Sequence, residues 1–204
     1  MLRQILLNIL ESVWPMLIII FTILITFRAV YLYKNNIKFV FYDDMISLLF
    51  VFYVICLFQT VTFQDVGWST SNFIPFKEIL RYNFGSSLFF RNVLGNVIMF
   101  IPYGLFTGYM FKEKKFYLPV LLTLIISVVI ECVQLWIGRV FDIDDIILNV
   151  VGGTIGFMIY KLFIDIKNHL PKFLQSKIFY NIVVFVIMVL LMLYLFNILS
   201  FGGL

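Results

Sequence analysis

The stretch Phe116–Ile137, FYLPVLLTLIISVVIECVQLWI, decides the fold. Its twenty-two residues hold one charged side chain, Glu131, and aliphatic residues fill most of the rest. A helix that crosses the hydrocarbon core of a membrane needs about 20 mostly apolar residues, at a rise of about 1.5 Å each. This run meets that length, and five others share its character: Val13–Leu32, Met45–Phe63, Val93–Phe111, Ile146–Ile164 and Ile178–Leu199. The expected fold is all-α, a polytopic membrane protein built as a bundle of six transmembrane helices.

Composition agrees. The 204 residues are 63% hydrophobic and 13% charged, with a mean hydropathy of +1.06. Soluble domains run at about 45–50% apolar and about 25% charged. A chain this short cannot hide so much apolar surface in a water-soluble core, so lipid must solvate it. That excludes a soluble globular enzyme, a disordered regulator and a disulfide-stapled secreted domain. Cys56 and Cys132 both lie in apolar runs and read as small hydrophobes. The net charge of +4 marks the cytoplasmic side of a membrane protein, not a nucleic-acid partner. The first span is too long for a signal-peptide core, and no small-residue cleavage site follows it. One membrane domain is expected over residues 1–204.

Basic residues set the orientation. Ten Lys and Arg residues follow spans one, three and five, against five on the other side: Arg3, Lys77, Arg81, Arg91 and Arg139. The positive-inside rule then puts both termini outside the cell membrane. Trp14, Trp68 and Trp136 all fall at the outer boundary in this topology, where an indole keeps its N–H wet. The longest loop, Gln64 to about Asn92, faces outside. Its Ser-Asn-Phe-Ile-Pro-Phe stretch, Ser71–Phe76, precedes Lys77, Glu78 and Arg81 and is expected to lie on or dip into the outer interface.

Polar residues inside the spans carry the functional signal. Insertion scales put a charged side chain at the helix centre at about 2.5–3.5 kcal/mol. Asn92 and Asn96 are four apart and share a helix face; Glu131 and Gln134 are three apart; Asp145 and Asn149 are four apart. From the outer helix ends, Asn96 and Asn149 lie about 6 Å deep and Glu131 about 9 Å deep. The turn between spans four and five adds Arg139, Asp142 and Asp144 above them. Asn92, Asn96 and Gln134 read equally as hydrogen-bonding contacts between helices. Glu131 points to a pocket, since intramembrane ionisable groups line sites or pathways. It is expected to pair with Arg91 or Arg139, the latter folding back past the helix-breaking Gly138. The candidate ligand-binding set is Arg91, Asn92, Asn96, Glu131, Gln134, Arg139, Asp142, Asp145 and Asn149. Gly104–Gly108 and Gly152–Gly156 have the spacing that lets helix backbones approach. Pro102 is expected to kink span three.

Three elements form a recognisable series. Asn72-Phe-Ile-Pro75-Phe76 comes first. Then Asn92-Val-Leu-Gly-Asn-Val-Ile-Met-Phe-Ile-Pro-Tyr-Gly104 carries an N-x-x-x-F-x-P-x-G pattern at Asn96, Phe100, Pro102 and Gly104. Last, IECVQLWIGRVFDIDDIILNVVGG, Ile130–Gly153, presents Glu131, Gln134, Asp142, Asp145, Asn149, Gly152 and Gly153 in order. Together they resemble the VanZ-like membrane proteins over about residues 71–160, with two spans before this core and one after. The resemblance implies a part in resistance to the lipoglycopeptide teicoplanin in a Gram-positive cell envelope, by a route that leaves the D-Ala-D-Ala target unchanged.

The leading functional reading is an outward-facing intramembrane pocket. It would bind the head group of a membrane lipid, of a lipid-linked cell-wall precursor or of the lipoglycopeptide antibiotic. Arg91 and Arg139, with Arg81 near them, suit an anionic group through the bidentate guanidinium fork. A second reading is an intramembrane enzyme acting on a lipid-linked cell-wall intermediate, with Glu131 and Asp145 as acid and base. The single histidine, His169, falls in an expected cytoplasmic loop, which removes Ser–His catalysis, a His-dependent phosphatase site and His-ligated zinc from that side. An oxygen-only Mg²⁺ or Ca²⁺ site on Glu131, Asp142, Asp145 and Asn149 stays open, though no metal or other cofactor is expected. A transporter or flippase is the third reading. Against it, the polar residues cluster at one depth and no glycine-rich phosphate loop is present.

Overall fold

The computed structural model describes residues 2–63, 71–112 and 115–200. The helices are α1 (Leu2–Lys34), α2 (Phe41–Phe63), the short α3 (Lys77–Arg81) and α4 (Ser87–Phe89), α5 (Gly95–Phe111), α6 (Tyr117–Trp136), α7 (Ile143–His169) and α8 (Lys177–Ser200). A π-helical turn, Phe90–Leu94, joins α4 to α5. Among the described residues the sole β-type pairing is an isolated bridge between Asn72 and Asp142. The protein is all-α, and five helical stretches are long and apolar enough to cross a membrane. The sixth expected span, Ile178–Leu199, coincides with α8, Lys177–Ser200. Trp14 and Trp136 are both exposed. Trp68, Lys114 and the Gln64–Thr70 part of the long loop lie outside the described residues.

Two span boundaries shift by five residues or more from expectation. The third span begins at Ser87, six residues before Val93, because Ser86 Oγ accepts the Phe89 N–H at 3.1 Å and starts the helix there. The added turns include Arg91 and Asn92 inside the π-helical segment. The fifth span continues to His169, so this histidine closes α7 and does not sit in a loop. It lies in the last turn beside Lys167, where cations favour the negative end of the helix dipole.

The chain divides into two compact units. In the unit of residues 14–52 and 166–204, the Arg28 Nε donates to Asp44 at 2.6 Å, and Asn181 accepts the Tyr42 N–H at 3.0 Å. The Tyr42 and Tyr180 rings lie 5.6 Å apart, with the Lys167 ammonium over Tyr180.

The unit of residues 1–13 and 53–165 holds the polar cluster. Its helices are inside-out relative to a soluble bundle. On α6, Pro119, Thr123, Ser127, Glu131 and Gln134 are buried, while Leu121, Leu124, Ile125, Val128 and Val129 are exposed. The first four buried positions repeat every four residues, so one stripe of small and polar groups faces the protein. Lipid is as apolar as leucine, so helix association rests on close packing and hydrogen bonds, not on hydrophobic burial. Close packing is what the glycines supply. A methyl group on Gly104 would overlap the carbonyl of Gly153, one on Gly152 the carbonyl of Val97, and one on Gly156 the carbonyl of Ile101. The α5 and α7 backbones therefore touch at three points, and Thr123 of α6 packs onto Gly153. Phe100 is fully buried with Leu57 and Val61 of α2, and Tyr53 donates its hydroxyl proton to the Met99 carbonyl at 2.8 Å. The α5 helix runs through Pro102 to Phe111.

Candidate functional site

The site is built where α6 stops. Gly138 takes φ of +84°, a left-handed conformation that glycine adopts without penalty. Its N–H donates to Leu135, and the Arg139 N–H donates to Gln134, closing a Schellman motif that satisfies two terminal carbonyls. The chain then runs alongside residues 71–73. Asn72 donates its N–H to Phe141 at 2.7 Å and accepts from Ile143 at 3.0 Å, Ser71 Oγ accepts the Phe141 N–H, and the Phe73 and Phe141 rings stack.

Asp142 stands at the start of α7, and its Oδ1 accepts the Asp144 N–H at 2.9 Å, an N-cap bond. The same oxygen accepts the Asn72 side-chain amide at 2.9 Å. Asn72 in turn accepts the Ile74 N–H, which turns the chain. Asp144 is 1% exposed and is the most heavily used acceptor. Its Oδ1 takes the Phe76 N–H, and its Oδ2 takes those of Glu78 at 2.7 Å and Ile79 at 3.2 Å. Three backbone donors thus converge on one buried carboxyl group. The segment after Asn72 is tied to the first turn of α7 by these bonds.

Glu131 is 1% exposed, and its Oε2 accepts the Asp142 backbone N–H at 2.8 Å. The expected arginine pairing is not formed. Neither Arg91 nor Arg139 forms an ion pair with Glu131, whereas Arg28–Asp44 and Arg81–Glu78 do pair. Arg139 instead donates to the Val61 carbonyl at the end of α2, which Gln134 also approaches at 3.4 Å. The physical reason lies in the turn: the Asp142 amide falls within reach of Glu131 without ordering a long side chain, while Arg139 satisfies a helix-terminal carbonyl. Asn149 donates to Ser127 Oγ at 2.9 Å between α6 and α7, and its Oδ1, also buried, accepts no hydrogen bond among the described residues.

Six of the nine candidates line one cavity of about 320 Å³: Arg91, Asn92, Asn96, Arg139, Asp142 and Asp145. Asn96 donates to Asp145 across the α5–α7 interface, and Asn92 donates to the Tyr82 hydroxyl at 2.8 Å. Glu131, Gln134 and Asn149 are not in the lining. They hold the helices and the turn behind it. Sequence reasoning left out Glu78, Tyr82 and Asp144, which do line it. Asp144 stood in plain view beside Asp145, but its nearest partners are backbone amides, which leave no side-chain signature, with the Asn72 side chain at 3.5 Å. Among the described residues no three His, Cys, Asp or Glu side chains are grouped to hold a metal ion. The walls carry four carboxylates, from Glu78, Asp142, Asp144 and Asp145, and two guanidiniums, from Arg91 and Arg139. Asp144 and Arg139 are committed to backbone groups. Arg91 is exposed and has no hydrogen-bond partner among the described residues.

Residues 45–164 match the family described as VanZ/LLP1, which is more than half of the chain. The chain belongs to the VanZ/LLP1 family. It is 36% identical over 107 residues to Protein VanZ of Enterococcus faecium, an alignment covering 52% of this chain and 62% of that protein. This chain thus matches somewhat less than two thirds of the relative's own length. No solved structure matches the chain. The matched region contains the whole cavity and each residue tied to it.

Two predictions follow from this geometry. Asp144→Ala strips the acceptor from three backbone donors, and a buried donor left without a partner costs about 1–3 kcal/mol. Amide hydrogen exchange at Phe76, Glu78 and Ile79 is expected to rise sharply while exchange in the middle of α6 stays slow. Unchanged exchange at all three amides would show that the carboxylate does not hold the segment.

Asp142 supplies a pH dependence. Burial, the largest influence, pushes its carboxyl pKa up, and the Asp144 and Glu78 carboxylates add to this; hydrogen bonds from Asn72 and the Asp144 amide pull the other way without cancelling the rise. A raised folded-state pKa means that the folded protein keeps a proton which the unfolded chain releases above about pH 3.9. Stability contributed by this group falls as pH rises through that window. Asp142→Asn keeps the acceptor oxygen and removes the titration. Its stability relative to the unsubstituted protein is expected to increase as pH rises above about 3.9, measured by thermal unfolding in detergent; a pH-independent difference would contradict the assignment.

Proposed function

We propose that this protein acts in the cell envelope as a VanZ-like determinant of lipoglycopeptide (teicoplanin) resistance, and that its cavity takes the polar head group of a membrane-anchored molecule. The observation that carries this is the composition and place of the cavity. Carboxylates of Asp142 and Asp145 offer acceptors to ammonium, amide or hydroxyl donors, and the free guanidinium of Arg91 offers a fork to an anionic oxygen. A head group bearing both kinds of function fits such walls; a bare anion meets more negative than positive charge there. A lipid-linked cell-wall precursor has this chemistry, as does the lipoglycopeptide itself. The acid–base reading is less well supported, because one Glu131 oxygen is occupied by the Asp142 amide and the residue lies outside the lining.

The cavity is assigned to the outer leaflet, with both termini outside, on the ten-to-five division of basic residues. In a background without Cys56 and Cys132, Lys172→Cys is expected to react with a membrane-impermeant maleimide only after permeabilisation, and Asn83→Cys on intact cells. The opposite pattern would move the cavity to the cytoplasmic leaflet and end the link to an extracellular antibiotic.

Resistance itself is tested by teicoplanin susceptibility of a sensitive Gram-positive host. Expression is expected to raise the inhibitory concentration. Asp145→Asn and Arg91→Gln are each expected to return it to the host's value with protein still present in the membrane, and Lys172→Ala to leave it raised. No rise with the unsubstituted protein would overturn the resistance reading. A rise that survives both cavity substitutions would overturn the role of the cavity.

A further inference from the structure

Residues 73–90 present a surface that the cavity does not use. Phe73, Ile74, Phe76, Leu80, Phe84, Leu88 and Phe90 are all exposed, Leu80 at 81% and Phe84 at 92%. So many large apolar side chains in one short segment exceed the scattered exposure normal on a wetted surface. The opposite side of the segment is polar and committed. Asn72 is 3% exposed and bound to Asp142, the amides of Phe76, Glu78 and Ile79 are held by Asp144, and the Tyr82 hydroxyl accepts from Asn92. The segment is therefore pinned by its inner side with its apolar side turned out.

We infer that residues 73–90 form a membrane-seated foot, with the apolar side lying in the interface of the leaflet in which α5 begins. Three observations choose lipid as the occupant. The chain passes from the foot directly into Ser87–Phe111, a helical stretch fit to span a membrane, so the lipid-facing surface of that span continues into the foot without a break. Lys77 and Arg81 are exposed and share the face of α3 that carries Leu80, where long basic side chains reach lipid phosphates while their stems lie on apolar surface. Phe84 lies in the Asn83–Ser86 turn that Gly85 closes with a φ of +83°, and it stays almost fully exposed beside the Phe89 ring, 5.1 Å away. Interfacial segments of this kind bury their apolar side about 5–10 Å into the boundary between head groups and acyl chains.

The foot also has an inner consequence. Glu78, Ile79 and Tyr82 belong to it and line the cavity. A foot seated in the interface places that wall at head-group level, so the cavity is entered from the leaflet. The foot does not depend on the resistance reading: it is a statement about where the segment lies, and it stands or falls on depth measurements alone.

The test uses the full-length protein in liposomes of phosphatidylcholine and phosphatidylglycerol, lacking Cys56 and Cys132, with single nitroxide-labelled cysteines in place of Leu80 and Phe84. Reference labels replace Ile125, exposed on α6, and Lys172. Oxygen concentrates in lipid and a nickel chelate stays in water. Leu80 and Phe84 labels are expected to show an oxygen-to-nickel accessibility ratio several-fold above that at Lys172 and close to that at Ile125. Accessibility to nickel equal to that at Lys172 would place the segment in water and overturn the inference. Low accessibility to both reagents would show protein cover instead of lipid, and spin–spin broadening in that case would identify the cover as a second copy. Because each label replaces an exposed side chain, folding is not at stake; Phe84→Trp in a tryptophan-free background, quenched by brominated lipid and not by acrylamide, checks the same depth independently.

Discussion

Asp144 sets the constraint on which the rest of the site depends. A carboxyl group at the membrane end of a helix bundle, almost wholly buried, must find hydrogen-bond donors, because a buried polar group left unpaired is costly. No side chain on α7 supplies them. Backbone amides of Phe76, Glu78 and Ile79 do, and to bring them there the chain must fold back from Asn72 over the first turn of α7. That fold-back fixes Tyr82, then Asn92, and so the direction in which α5 enters the membrane. Asp142 works in the same knot from the other side, capping α7 with its carboxylate while giving its own N–H to Glu131. Asp142 and Asp144, two residues apart, are each supplied with hydrogen-bond donors of their own, backbone amides foremost.

The second requirement is distance. Asn96 reaches Asp145 only because α5 and α7 touch backbone to backbone below them. Gly104 against Gly153, and Gly152 against the Val97 carbonyl, bring the axes closer than any side chain would permit. With no hydrophobic drive between helices in lipid, this contact and the buried bonds are what hold the pair. The glycines are thus as much a part of the cavity as the residues that line it.

Some of this was legible in the sequence. Helix number and the close approach of the glycine-bearing helices follow from length, four-residue spacing and residue size, which are local properties. The meeting of Asn96 and Asp145 was also readable, because spans three and five run in the same direction and each places a polar residue near its first turn. Glu131 was misread as an arginine partner and Asp144 was passed over, for one shared reason. Both carboxylates are satisfied by backbone N–H groups, and every residue except proline carries one of those, so no letter in the sequence announces the partner. The π-helical turn was hidden likewise: a single wide turn at Phe90–Leu94 leaves no mark in an apolar pattern.

That turn explains why a cavity exists at all. In an uninterrupted α-helix from Ser87 to Phe111, each residue after the turn would keep a strict 3.6-residue relation to each residue before it. A π-helical turn holds one residue more than an α-turn, which shifts the outer part of the helix relative to the inner part and loosens its packing. Below the turn, Gly104 locks α5 onto α7. Within and above it, Arg91 and Asn92 are carried toward Tyr82 and away from that tight seam. One end of α5 is therefore clamped to α7 by glycine while the other is drawn off by the fold-back that Asp144 imposes, and the space between them is the cavity.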